Sequence, residues 1–168
     1  STLGYAFPGA VLGLGILIPL ATIDNWAADK IYLITEVDPG LLLTGTASAL
    51  VIAYCVRFFA IGVGASEAGL AAISPSIPHV AQSLGLRRSS LIWKIYQPLM
   101  RGSLASAMVL VFVDTVKELP ATLLLRPFNF ETLSTHTYGQ ATLENFNATA
   151  PPALLMIGLS FGAIIVLA

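Results

Sequence analysis

Three ionisable side chains stand inside an otherwise apolar stretch. Asp114, Lys117 and Glu118 lie at i, i+3 and i+4, so on a helix they share one side and partly neutralise one another. Charge at membrane depth is costly and normally faces a bundle interior or a water-filled path. Just beyond them, Pro120 has no backbone donor and crowds the preceding turn, so the helix is expected to bend or open near Glu118 and Leu119. Backbone opened at that depth must line a cavity or be covered by protein. Asp114, Lys117, Glu118 and Pro120 are therefore candidates for a gate on a translocation path; the plainer alternative is an ion-paired hinge that only fixes packing.

Other chemistries lack their parts. The single cysteine, Cys55, sits in an apolar run and builds neither an intrachain disulfide nor a cysteine-based zinc site. The sequence has no His-Glu-x-x-His or Gly-x-Ser-x-Gly, so an intramembrane hydrolase is not supported. It also has no Gly-x4-Gly-Lys-Ser/Thr phosphate loop, so any ATP is expected to be used by a partner and not by this chain. His79 and His136 fall in opposite aqueous loops and are not expected to share a metal, and no resident metal is assigned. Arg57, near the inner end of its span, is expected to reach the headgroups. Asn147-Ala148-Thr149 matches the glycosylation tripeptide, a pattern common by chance. Eight Lys+Arg against nine Asp+Glu give a net charge of -1, without the basic excess that a nucleic-acid partner requires.

The elements that position these residues follow from composition. Of 168 residues, 56% are apolar and 10% charged, with a mean hydropathy of +0.83; soluble domains carry about 25% charged residues. The expected fold is all-α, a polytopic helix bundle in the lipid bilayer and a single transmembrane domain over residues 1–168, with spans near 3–23, 41–65, 102–125 and 151–168. The first run, Leu3 to Ile23, makes a helix of about 31 Å, enough for a hydrocarbon core. No Met, basic flank or cleavage signal marks a signal peptide, and the last run, from Ala153 to Ala168, stops while still hydrophobic. Both ends suggest a piece of something longer with a truncated last helix. Between the first two spans Asp24, Asp29, Glu36 and Asp38 face Lys30 alone; residues 66–101 hold Arg87, Arg88, Lys94 and Arg101 against Glu67. The positive-inside rule then places 66–101 in the cytoplasm. Small residues at Gly9 and Gly13, at Gly45, Ala49 and Ala53, and at Gly158 and Gly162 offer faces for close helix packing.

Within 66–101, Ser76 is expected to cap a short helix beginning at Ile77 and Pro78, and Gly85 to stop it just past Leu84. Ser89 or Ser90 would cap a second helix with Leu91, Ile92, Ile95 and Tyr96 on one face, ended by Pro98. A connecting loop lying at the membrane interface is the plainer alternative.

The run His79-Val80-Ala81-Gln82-Ser83-Leu84-Gly85, followed by Ile95 and Pro98, resembles the cytoplasmic EAA loop of binding-protein-dependent ABC transporter permeases. That loop reads Glu-Ala-Ala, three residues, Gly, nine residues, Ile, one residue, Leu-Pro. Ala81, Gly85, Ile95 and Pro98 fall on the pattern, whereas His79, Val80 and Gln97 replace its Glu, Ala and Leu. If Ser76 is the N-cap, His79 stands where Glu would complete a capping box. Val111 to Phe130, together with Arg57-Phe58 and Gly4-Tyr5 through Pro8-Gly9, is similar to the ferric-iron branch of that family. The resemblance implies the last four spans of a two-domain inner-membrane permease in bacteria, with the missing N-terminal part of the permease beside it. It further implies a periplasmic or extracellular substrate-binding protein and a cytoplasmic ABC ATPase that docks on His79, Val80, Ala81, Ser83, Leu84, Gly85, Ile95 and Pro98. No cofactor would be bound directly. Ferric iron is the implied substrate, with thiamine, an oxyanion, a phosphonate or a polyamine as alternatives: Asp114, Glu118 and Tyr138 offer oxygen ligands to a hard cation, and Lys117 and Arg126 would attract an anion. A secondary transporter or channel using Asp114, Lys117 and Glu118 as an ion relay accounts for the charges equally well but leaves the loop helices without a purpose.

Overall fold

The computed structural model describes residues 8–167, the Arg88 side chain excepted. Its helices are α1 Gly9–Thr35, α2 Ala47–Ala71, α3 Ser76–Ser83, α4 Arg88–Leu91, α5 Gln97–Val116, α6 Pro120–Leu125, α7 Leu133–Thr142 and α8 Phe146–Leu167. A π-helical turn, Ile92–Tyr96, joins α4 to α5, and there is no strand among the described residues. Four rods are long and apolar enough to cross a membrane: Gly9–Thr35, Ala47–Ala71, Ser89–Val116 and Phe146–Leu167. The expected all-α polytopic bundle is what the chain forms.

The limits of the rods differ from the expected spans. α1 continues to Thr35, about 40 Å in all, which exceeds a hydrocarbon core of about 30 Å and requires tilt or protrusion; the expected start at Leu3 lies outside the described residues. Asp24, expected in an acidic outer loop, sits within α1 at 1% exposure. Its carboxylate accepts the backbone N–H groups of Leu43, at 2.9 Å, and Thr44, tying the α1–α2 connection back onto α1. The second span begins at Ala47 and not Leu41, because residues 41–46 form this connection. α8 begins at Phe146, ahead of the expected start, and Ala168 lies outside the described residues.

Pro98 does not end a helix. The π turn places the Gln97 N–H on the Ile92 carbonyl, a five-residue step whose wider loop relieves the crowding a proline imposes on the preceding turn. The chain therefore continues as one rod into α5, and the separate second loop helix does not exist. Ser76 is not a cap either: α3 begins on it, Pro75 precedes it, and its hydroxyl pairs with that of Ser74 at 2.8 Å. His79 is then the fourth helical residue, so the capping-box argument for that position falls. Gly85 ends α3 where expected. At φ +85° it lets its own N–H reach the Gln82 carbonyl and the Leu86 N–H reach that of Ala81, the paired bonds of a Schellman motif.

α2 packs on α1 and α5, α5 on α8, α6 on both α1 and α2, and α7 on α8. A small apolar core joins Leu12, Leu50, Ala53 and Leu125, with Ile16, Leu17 and Tyr54 against it. Elsewhere the rods are apolar on all sides, as helices facing lipid are. Of the three small-residue faces, Gly9 and Gly13 receive α6: a Cβ at Gly13 would lie 3.1 Å from the end of Leu124 and 3.5 Å from the Ala121 Cα. Ala49 and Ala53 are fully buried, but Gly45 lies in the turn before α2 and not on its face. Gly158 and Gly162 have no neighbour within 4 Å at a Cβ position.

Candidate functional site

The third rod breaks where proline stereochemistry requires it. α5 stops at Val116, Lys117 and Leu119 leave ideal helical geometry, and Pro120 opens α6 at a position that needs no amide donor. With residues 117–119 outside both helices, side chains take up the Glu118 backbone carbonyl. The Glu118 carbonyl accepts the hydroxyls of Thr122, at 2.9 Å, and Ser134, at 2.8 Å. Ser134 is delivered by α7, whose start is fixed by a reciprocal cap between Thr132 and Thr135. The Tyr54 hydroxyl on α2 hydrogen-bonds with that of Thr122.

The Glu118 side chain is 6% exposed and meets Arg57 of α2, whose Nε lies 3.0 Å from Oε2. Opposite charges at this distance make an ion pair between α2 and the break. The other oxygen, Oε1, accepts the Ala121 N–H at 3.3 Å, so the carboxylate also caps the first turn of α6. Gly9 of α1 closes the arrangement: a Cβ there would stand 2.6 Å from Glu118 Oε1, 3.2 Å from Arg57 Nη1 and 3.3 Å from the Pro120 Cβ. Residues from α1, α2 and α6 thus converge on the buried Glu118 carboxylate, and Ser134 of α7 on its backbone carbonyl, at a helix break.

The expected trio separates. Lys117 pairs with Asp114 at 2.9 Å, with the lysine side chain 62% exposed, whereas Glu118 turns inward to Arg57. Arg57 is only 17% exposed and does not run out to the headgroups, which corrects the sequence expectation. Charge arithmetic held the missing signal: Lys117 can neutralise one of Asp114 and Glu118, and Arg57 is the basic residue of the preceding span. Tyr54, Thr122, Ser134 and Gly9 carry no comparable mark in the sequence. Among the described residues, no three His, Cys, Asp or Glu side chains come together to hold a metal.

Of the loop residues singled out from sequence, His79, Val80, Ser83, Leu84, Gly85 and Pro98 are exposed, Ile95 is half-buried, and Ala81 is buried. His79 and Tyr96 line a shared cleft of about 380 Å³ with Leu70, Ile73 and Gln82, so α3 and the π turn present a joint surface. At the opposite pole, residues 126–129 and Glu131 border a cavity of about 960 Å³ that Leu17, Thr44 and Gly45 also line. That loop is braced. Arg126 donates to the Phe130 carbonyl at 3.0 Å and lies 3.6 Å from Glu131, and His136 Nδ1 stands 2.8 Å from the other Glu131 oxygen. The hydrogen bond from His136, aided by its charge when protonated and by Arg126, holds the Glu131 carboxyl below its usual 4.5.

The chain is 30% identical over 148 residues to an Fe(3+)-transport system permease protein of Haemophilus influenzae, a match covering 88% of this chain and 27% of that protein. It is 31% identical over 123 residues to a ferric transport system permease protein of Actinobacillus pleuropneumoniae, covering 72% of this chain and 15% of that protein. The chain thus spans about a quarter or less of the length of the curated relatives it matches. No family model matches it.

Proposed function

We propose, from this homology to ferric-transport permease proteins, that the chain is part of the transmembrane permease of an ABC importer for ferric iron in a bacterial inner membrane. The four apolar rods and the resemblance of Ala81, Gly85, Ile95 and Pro98 to the EAA loop support the importer class. The observation that carries the reading of the site is the Arg57–Glu118 pair, buried at a break in a membrane-spanning rod. Intramembrane charge beside an interrupted helix is how membrane transport proteins assemble a substrate path, since opened backbone and ionised groups are tolerated only beside water or protein.

In this reading a binding protein outside the membrane delivers iron to the pole bordered by residues 126–132. A cytoplasmic ATPase engages α3 and the π turn, and its closure is transmitted through the α4–α5 rod to the break at 117–119. The permease itself breaks no covalent bond. Its part is to offer an oxygen-lined passage that opens on one side at a time.

Reconstitution of the intact permease with its ATPase and binding protein in proteoliposomes tests this. Uptake of radiolabelled iron should require ATP and the binding protein and should persist when the proton gradient is collapsed. Pro120→Ala, which restores an amide donor at the break, should uncouple hydrolysis from uptake, while Glu118→Gln should reduce uptake more than basal hydrolysis. Uptake that follows the proton gradient without the ATPase would instead establish the secondary-transporter reading.

A further inference from the structure

We propose that Arg57 is a latch: its guanidinium holds the Glu118 carboxylate against Gly9 and keeps the α5–α6 break closed at rest. The inference rests on the reading that this break borders the translocation path.

α6 is a short helix with an interruption of helical geometry on each side. Residues 117–119 interrupt it before Pro120, and Arg126 is already extended after Leu125. Its apolar side rests on the core through Leu125, and its start is held by Glu118 through the Ala121 N–H, a long contact of 3.3 Å. The remaining ties at Glu118 are neutral hydroxyls on its carbonyl, from Thr122 and Ser134. The charged contact to Arg57 is therefore the strong tie between α2 and the break, and Gly9 leaves room for it by having no side chain.

The strength of that tie depends on whether the site is dry. Opposite charges at this distance attract several-fold more strongly in a protein interior than in water, and a hydrated pair is worth almost nothing. With the break closed, Glu118 is nearly sealed and the pair holds. Once water enters, its hold collapses, so closing and drying reinforce each other, as do opening and wetting. The contact joins two side chains from different helices, so it parts when α2 and the break move relative to one another and re-forms when they return. This is the behaviour of a two-position switch and not of a static brace.

The test uses the intact permease in nanodiscs, with the exposed Cys55 replaced by Ala and Ser134→Cys as reporter. Ser134 is 6% exposed and touches the Glu118 carbonyl, so a water-soluble thiol reagent should label Cys at this position slowly while the break is closed. Arg57→Met should raise the labelling rate at least about tenfold, and Arg57→Lys, which keeps the cation, should leave it within about threefold of the parent. The neutral double variant Arg57→Met with Glu118→Gln removes the stranded charge, so it should assemble like the parent yet still label fast. If the double variant labels as slowly as the parent, or if Arg57→Lys labels as fast as Arg57→Met, the pair is a packing contact and the latch is wrong. Labelling requires neither iron nor ATP, so a permease for another cargo would leave this result intact, whereas loss of iron uptake alone bears on the import reading.

Discussion

Adding a single methyl group at Gly9 probes the whole arrangement. Gly9→Ala would place a Cβ 2.6 Å from Glu118 Oε1, closer than real Cβ atoms stand, with Arg57 Nη1 at 3.2 Å and the Pro120 Cβ at 3.3 Å on either side. Relief requires something to move by about 0.5–1 Å, the gap between this distance and ordinary contact. A carboxylate at the end of a flexible side chain would normally swing away, but this one is held by Arg57 on one oxygen and by the Ala121 N–H on the other. Losing the Ala121 bond alone costs about 0.5–1.5 kcal/mol, and overpacking typically costs about 1–3 kcal/mol, so a loss of about 2 kcal/mol is expected. Gly13→Ala is tight only against the end of the Leu124 side chain at 3.1 Å, its next neighbours lying at an ordinary 3.5 Å, and should cost under about 1 kcal/mol, and Gly158→Ala meets nothing within 4 Å. Unfolding of the intact permease in nanodiscs, followed with a thiol-reactive dye or by tryptophan fluorescence, gives the ranking. If Gly9→Ala is as stable as the parent, or if Gly158→Ala loses as much, the close approach of α1 to Glu118 is not what organises the site.

The glycine turn after α3 provides a second test: at φ +85°, Gly85→Val forces a β-branched residue into left-handed backbone, costing about 1–2 kcal/mol locally, and should lower ATPase-coupled transport while membrane assembly survives. Topology is checked by thiol labelling with Cys55 replaced: a cysteine at Ser89 should react with impermeant reagent only from the cytoplasm and one at Asp38 only from outside, and labelling of both from one side would overturn the orientation. The loop of residues 126–132 should respond to acid. Because the Glu131 carboxyl is held below 4.5, its contribution to loop order is full above that value and disappears as the pH falls through the lowered one. Hydrogen-exchange protection of residues 126–132, corrected for the intrinsic rate at each pH, should therefore fall only below 4.5, and His136→Ala should shift that onset upward toward 4.5.

Features written into local covalent structure were legible in the sequence. The length of the apolar runs gave four membrane-crossing rods, because each backbone must satisfy its own hydrogen bonds in lipid. Pro120 gave the break after Val116, and Gly85 gave the end of α3, because ring closure and a missing side chain act on their own residue whatever surrounds them. Where a neighbouring turn can adapt, the same logic misleads: Pro98 did not end its helix because the π turn before it absorbed the crowding. What only the tertiary structure decided is which charges meet. Spacing placed Glu118 with Lys117, but the break turns its side chain toward α2 and Arg57, and a charge buried among apolar helices takes the counter-ion that packing brings to it, not the nearest along the chain. Asp24 behaves in the same way: an acidic residue between apolar runs marks a loop by composition, yet here it lies within α1 and binds the amides of Leu43 and Thr44, because the fold supplied donors at its depth.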